Sequence, residues 1–140
     1  LPTRRSSDLF RASAAELGVD LRFQSFDKEL ADIKGFYVLT LIAGPPEAPS
    51  GCVALKRLSP ERCEMKRLYV APSARADGLG KRLAEAVIDE ARARGYAEMV
   101  LDTLGRLERA VAMYGRMGFE RIPAYYPNPE VDVVYMRLAL

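Results

Sequence analysis

Arg67-Leu68-Tyr69-Val70-Ala71-Pro72, followed by Arg75-Ala76-Asp77-Gly78-Leu79-Gly80-Lys81-Arg82-Leu83, decides the reading of this chain. An apolar strand runs into a short turn, and the turn opens a helix carrying two glycines and a cluster of cations. Backbone N–H groups at a helix start lack intrahelical partners, and the helix dipole adds positive potential there. Gly78 and Gly80 let a bulky anion approach the backbone closely. Arg75, Lys81 and Arg82 add full charges. The turn reads as a cradle for a diphosphate, and hence for a nucleotide-like cofactor.

The same glycines exclude other cradles. A dinucleotide fold needs G-x-G-x-x-G, and after Gly80 the next glycine is Gly95. A P-loop needs Ser or Thr after Gly-Lys, and Gly80-Lys81 is followed by Arg82. Arg-x-x-Gly-x-Gly after a strand remains. On the residues alone, a glycine-rich helix start with a solvated basic face stays open as the alternative.

Composition bounds the rest. A chain of 140 residues with 49% hydrophobic and 29% charged residues suits one soluble globular domain. A net charge of +2, spread along the chain, gives no argument for nucleic acid. No apolar run is long enough to span a bilayer, and no signal peptide is evident. Two cysteines do not make a disulfide framework, so reduced, packed thiols and a cytoplasmic location are expected. The absence of histidine excludes His-based triads and speaks against a metal site.

Periodicity and turn residues predict helices over Asp8–Leu17 and about Asp27–Ile33, then a strand over Phe36–Ala43. The proline-rich stretch 44–51 is a loop. Strands follow over Cys52–Leu58 and Arg62–Val70, and a helix over Gly78–Arg94 with Leu79, Leu83, Ala86, Val87 and Ala91 on one face. Ala97–Asp102 is a strand. Leu107, Ala110, Val111, Tyr114 and Met117 mark a further helix, stopped by Gly118. Phe119–Ile122 and Val131–Leu138 complete the strands. Helices alternate with strands only in the second half, which argues for α+β with a mixed, mostly antiparallel central sheet flanked by helices.

Three segments in order carry a family resemblance. Arg75–Gly80 resembles the acyl-CoA pyrophosphate loop of the GNAT N-acetyltransferase family. Cys63–Val70 resembles that family's central strand, and Ala110–Glu120, with its Tyr-x-x-x-Gly-Phe ending, resembles its later helix. The resemblance implies the acyl-CoA N-acyltransferase fold in a single domain over residues 9–140. That fold normally opens with a strand, and no strand pattern precedes Leu9. The family's first strand is therefore expected to be missing or replaced, and residues 1–8 to be a non-native or disordered tail.

The implied activity is transfer of an acetyl group from acetyl-CoA to a primary amine of a small molecule or peptide, with no metal. The alternative is a non-catalytic acyl-CoA-binding or interaction domain on the same fold. Such transfer needs a deprotonated amine, a polarised carbonyl and a protonated leaving thiolate. Glu64 is the candidate base, because a carboxylate on an apolar-flanked strand is costly unless it reaches a cleft or a cation. A structural ion pair with Lys66 or Arg67 is its other reading. The resemblance implies Tyr114 as the acid, against a plain core tyrosine. It implies the Leu68 N–H as the oxyanion donor at a bulge. The cofactor would lie along Leu68, Tyr69 and Val70, and on Arg75, Ala76, Asp77, Gly78, Leu79, Gly80, Lys81 and Arg82. Leu107 stands where many family members carry a cofactor-contacting asparagine. Phe23, Phe26 and the stiff segment Pro123–Pro129, with Tyr125, Tyr126 and Asn128, are candidates for the acceptor pocket or for a packed hairpin loop. A homodimer through the C-terminal strands is left open.

Overall fold

The computed structural model of the chain describes residues 8, 9, 11, 12, 33–45 and 47–140. Asp8, Leu9, Arg11 and Ala12 are helical, and most of the two helices expected before Phe36 lies outside the described residues, as does the place of the family's first strand.

A helical turn, Ile33–Phe36, leads into strand β1 (Leu39–Ala43). Strands β2 (Gly51–Arg57) and β3 (Arg62–Val70) complete an antiparallel meander. Helix α1 (Leu79–Ala93) crosses to β4 (Glu98–Leu104), which lies parallel to β3. Helix α2 (Glu108–Arg116), β5 (Glu120–Ile122) and β6 (Val133–Ala139) finish the chain. The six strands run β1-β2-β3-β4-β6-β5, with β3–β4 the parallel pair of a mixed sheet. This is the expected architecture.

Side chains alternate across each strand. Val53, Leu55, Cys63, Met65, Met99, Leu101, Met136 and Leu138 face the helices and form the main core with Leu83, Ala84, Val87, Ile88 and Ala91 of α1. The α1 stripe differs from the expected one: Ala86 is exposed, and Ala84 and Ile88 join the buried face. Both long helices end in a left-handed glycine. The Gly95 N–H donates to the Arg92 carbonyl (3.0 Å) and the Tyr96 N–H to Ala91 (3.2 Å), a Schellman cap.

Some strand limits shift for identifiable reasons. Phe36 closes the helical turn, so β1 starts at Leu39 rather than at Phe36. Strand β4 runs on to Leu104 because β6 pairs with it along its whole length, from Glu98↔Ala139 to Leu104↔Val133. Residues before Val133 belong to the connection, where Asp132 accepts from the Arg106 backbone N–H (2.9 Å) and guanidinium (3.1 Å).

Glu98 ties three strands together. It accepts from Arg62 Nε on β3 (2.6 Å) and from Arg137 Nε on β6. These hydrogen bonds, the one from Arg137 foremost, hold its carboxyl below the usual carboxylate range. A lowered folded-state pKa contributes stability that is complete above the unfolded value and disappears as pH falls through the folded one. Urea midpoints measured from about pH 6 down to about pH 2 are expected to show a shallower acid decline for Glu98→Gln than for wild type. Parallel curves would mean that Glu98 contributes nothing to acid sensitivity.

Candidate active site

The parallel ladder between β3 and β4 has three pairs, Arg62↔Glu98, Cys63↔Met99 and Glu64↔Val100. Both strands continue beyond it, β3 to Val70 and β4 to Leu104, so they part and leave a fork in the middle of the sheet. On its other side β3 stays paired with β2, but with a slip: Lys66 faces Ala54 and Tyr69 faces Cys52. Arg67 and Leu68 therefore oppose Val53 alone, a β-bulge. Arg67 adopts φ +58°, a left-handed conformation that a non-glycine residue enters only when its surroundings hold it there. The bulge reverses the facing of the strand. Cys63 and Met65 reach the helix-side core before it, and Leu68 and Val70 after it. Tyr69 joins Cys52 and Ala54 in a small core on the opposite face.

The loop after β3 is shaped by its own side chains. Pro72–Ala74 forms a 3-10 turn, Ala76 takes φ +76°, and Gly78 caps α1 at φ +72°. Arg75 Nε donates to the Val70 carbonyl (3.0 Å), and its guanidinium lies 5.7 Å from the Tyr69 ring centroid. Arg82 Nη1 donates to the Asp77 carbonyl (2.7 Å). Lys81 stands outward, 3.7 Å from Glu85. No side chain caps the helix start, and no acidic residue sits in its first turn. The dipole's positive end and the first N–H groups are thus left for an outside anion. Gly80 supports this. A Cβ there would meet only Val70 Cγ2, at an ordinary 3.6 Å, so its own fold does not require glycine at this position. What the missing side chain leaves is bare backbone beside the helix start, as close contact with a diphosphate demands.

Helix α2 sets Tyr114 in the main core, on the helix side of the sheet. Gly118 (φ +101°) donates to Gly115 (3.1 Å), and Phe119 donates to the Tyr114 carbonyl (3.0 Å). In this Schellman motif the residues joined by the longer bond also touch, and here the Tyr114 and Phe119 rings meet edge to face at 5.6 Å. The Tyr-x-x-x-Gly-Phe sequence is thus a device for seating Tyr114. The ring is buried, and burial, with the Asp102 charge adding, pushes its phenol well above the usual range, so it carries its proton at neutral pH. Leu107 precedes α2 as its N-cap and makes no side-chain cap bond.

Glu64 lies on the other face and is only 3% exposed. Lys66 Nζ is 3.9 Å from its Oε1, so the ion pair given as its other reading is present. The Tyr125 hydroxyl donates to its Oε2 at 2.5 Å. Tyr125 belongs to the connection from β5 to β6, which lies over this face as a strap. The next residue, Tyr126, donates its hydroxyl to Asp102 Oδ2 (2.6 Å), and Asn128 Nδ2 donates to the same oxygen (3.3 Å). Tyr135 of β6 donates to the Tyr126 carbonyl (2.7 Å). The rings of Tyr125, Tyr126 and Tyr135 pack with centroids 5.3 to 5.7 Å apart. Burial is the main cause pushing the Tyr125 and Tyr126 phenols up, with Glu64 and Asp102 adding, so both remain donors.

The structure places Glu64 in the last pair of the parallel ladder, Leu68 at the bulge beyond it and Tyr114 in the core on the helix side of the sheet, and sets residues 75–82 at the start of the neighbouring helix. Phe23 and Phe26 lie outside the described residues. Sequence reasoning missed Asp102 and the pairing of each strap tyrosine with its own carboxylate. The available signal was an acidic residue late in a strand, matched to a run of aromatic and amide side chains. Among the described residues no group of three or more Cys, Asp or Glu is placed to hold a metal ion.

A six-stranded sheet forked at its parallel pair, with a bulge beside the fork and a glycine-rich helix start next to it, defines an acyl-CoA N-acyltransferase fold. The pattern of the acetyltransferase (GNAT) family matches residues 7–119. An uncharacterized N-acetyltransferase of Schizosaccharomyces pombe is 43% identical over 131 residues, covering 89% of this chain and 80% of that one. Several further relatives are longer, and the matches span 32% to 48% of their lengths. An acetyltransferase structure from Streptococcus agalactiae superposes with TM-score 0.81 at 24% identity, covering 99% of this chain and 91% of that chain. A GNAT family acetyltransferase from Elizabethkingia anophelis, solved with acetyl-CoA bound, superposes with TM-score 0.62 at 22% identity over 72% of this chain and 75% of that one. The chain belongs to the GNAT acetyltransferase family.

Gly80→Ala separates cradle from scaffold. Its melting temperature is expected to stay level or rise slightly, because alanine is favoured in a helix by roughly 0.5–1 kcal/mol. Coenzyme A binding, followed by calorimetry, is expected to weaken about tenfold, equivalent to ~1.4 kcal/mol. Unchanged affinity would remove residue 80 from the cradle.

Proposed function

We propose that this chain is an acetyl-CoA-dependent N-acetyltransferase that acetylates a primary amine of a small molecule or peptide by direct attack. The observation that carries this reading is the fork itself, with a buried carboxylate on one face and a buried, protonated phenol on the other.

Acetyl-CoA, when bound, supplies the acetyl group as a thioester, whose C–S bond breaks as the amine nitrogen bonds to the carbonyl carbon. The chain's residues supply the rest. The exposed N–H groups at the start of α1, with Arg75, Lys81 and Arg82, hold the diphosphate. The backbone of Leu68, Tyr69 and Val70, past the end of the β4 ladder, is available to pair with an extended arm like an added strand. The Leu68 N–H stabilises charge developing on the carbonyl oxygen. An amine with a pKa like that of lysine is neutral at pH 7 in only about one molecule in a thousand, so a base matters. Glu64 takes the amine's proton. The Tyr125 hydroxyl already donates to it, so the proton reaches Glu64 either after that phenol moves aside or through it. Tyr114 gives its proton to the departing sulfur. The balance is amine plus thioester to amide plus thiol.

The buried thiols of Cys52 and Cys63 are both free and are pushed by burial up to about 12, which fits a reducing, cytoplasmic setting for the protein.

Release of free thiol from acetyl-CoA across a panel of amines tests the proposal. At least one amine is expected to be turned over. Tyr114→Phe should lower kcat about tenfold to a hundredfold with little change in KM for acetyl-CoA, and Glu64→Gln should lower it about a hundredfold. If both variants retain full activity in well-folded protein, the acid and base assignments are wrong. Tight coenzyme A binding without turnover of any amine would favour the binding domain instead.

A further inference from the structure

We propose that Cys52 is a positioning residue for the oxyanion donor: its thiol fixes the peptide joining Arg67 to Leu68 so that the Leu68 N–H turns into the fork. Cys52 lies on β2, fully buried, opposite Tyr69 and beside the bulge. Its Sγ–H donates to the Arg67 carbonyl at 3.2 Å. That carbonyl and the Leu68 N–H belong to the same peptide unit. Among the described residues no peptide is cis, and across a trans peptide C=O and N–H point in opposite directions. The thiol lies on β2 and on the face opposite the helices, so a carbonyl drawn to it directs the Leu68 N–H away from β2 and toward the helix side of the fork.

The hold matters because of where it acts. Arg67 sits at φ +58°, and a residue of that type relaxes to negative φ unless something keeps it there. A flip of the 67–68 peptide would turn the carbonyl into the fork and the N–H out of it, replacing attraction for a developing oxyanion with repulsion. The sulfur stays a thiol at neutral pH, because burial pushes it up to about 12 despite the Arg67 charge and the Tyr69 N–H, which pull the other way. It therefore donates under all ordinary conditions. An S–H···O bond is weak, so the effect is a bias on one peptide rather than a determinant of the fold. This inference rests on the proposed oxyanion role of Leu68.

Infrared difference spectra of wild type, Cys52→Ser, Cys52→Ala and Cys52→Val bound to acetyl-CoA labelled with carbon-13 at the acetyl carbonyl test both. In wild type the carbonyl band is expected below its position in water. Cys52→Ser keeps a donor and should retain that shift; Cys52→Ala and Cys52→Val lack one and should lose much of it, with kcat on any accepted amine falling about three- to tenfold and KM for acetyl-CoA nearly unchanged. A shifted wild-type band that Cys52→Ala and Cys52→Val both preserve would overturn the inference and leave the role of Leu68 standing. So would equal losses in Cys52→Ser and Cys52→Ala, which would point to packing. An unshifted wild-type band would overturn the role of Leu68, and this inference with it. If Cys52→Val fails to fold, the Ser and Ala pair decides.

Discussion

The arrangement of this molecule follows from a parallel ladder that stops early. After three pairs β3 and β4 separate, although both strands run on. An opening inside a sheet exposes backbone donors and acceptors that neighbours would otherwise satisfy. Such an opening persists only if the flanking strands are secured elsewhere. Here β3 is anchored to β2 on both sides of the bulge, and β4 is anchored to β6 along seven pairs. Below the fork, Glu98 clamps Arg62 and Arg137 across β3, β4 and β6. The fork thus lies between two halves that are each paired along their length. Helix α1 starts, and helix α2 ends, on one face; the tyrosine strap covers the other.

Much of this is legible in the residues. The bulge is written as a change of phase: in Arg62–Val70 the core-facing residues are Cys63 and Met65, then Leu68 and Val70, odd positions giving way to even ones. A strand that keeps one phase would have put Leu68 on the face of Glu64. Tyr114, Gly118 and Phe119 are equally readable, because the cap geometry needs a glycine at one position and an apolar contact across it. In the loop the two glycines, read alike from the sequence as room for an anion, differ in the structure: Gly78 supplies a left-handed cap, and only Gly80 has no conformational need for glycine.

What escaped was long-range. Asp102 meets Tyr126 and Asn128 across 24 and 26 residues, and Glu64 meets Tyr125 across 61. No periodicity or turn signal encodes such pairs; they exist only once β6 has docked on β4 and brought the strap over the fork. The slip at Ala86 has a nearer cause. Leu83, Ala84, Val87, Ile88 and Ala91 lie on one helical face by spacing alone, and Ala86 falls outside it, so this error lay in reading the period and not in any long-range contact.

The chemistry proposed for Tyr114 meets an apparent objection, because burial makes the phenol a weaker acid than usual. Proton transfer to a thiolate with an ordinary thiol pKa near 8.5 would then run uphill, at 1.36 kcal/mol for each unit of mismatch. The same core answers it. Cys52 and Cys63 are lifted by burial up to about 12, because a desolvated thiolate is a far stronger base than one in water. A sulfur released in an equally dry place is raised along with the phenol facing it. Burial shifts both partners the same way, so the mismatch stays close to its small value in water while each alone moves far from its own. On the proposed mechanism, phenol and departing thiolate therefore stay about as well matched as in solution, and the apolar packing around Tyr114 does not oppose the transfer.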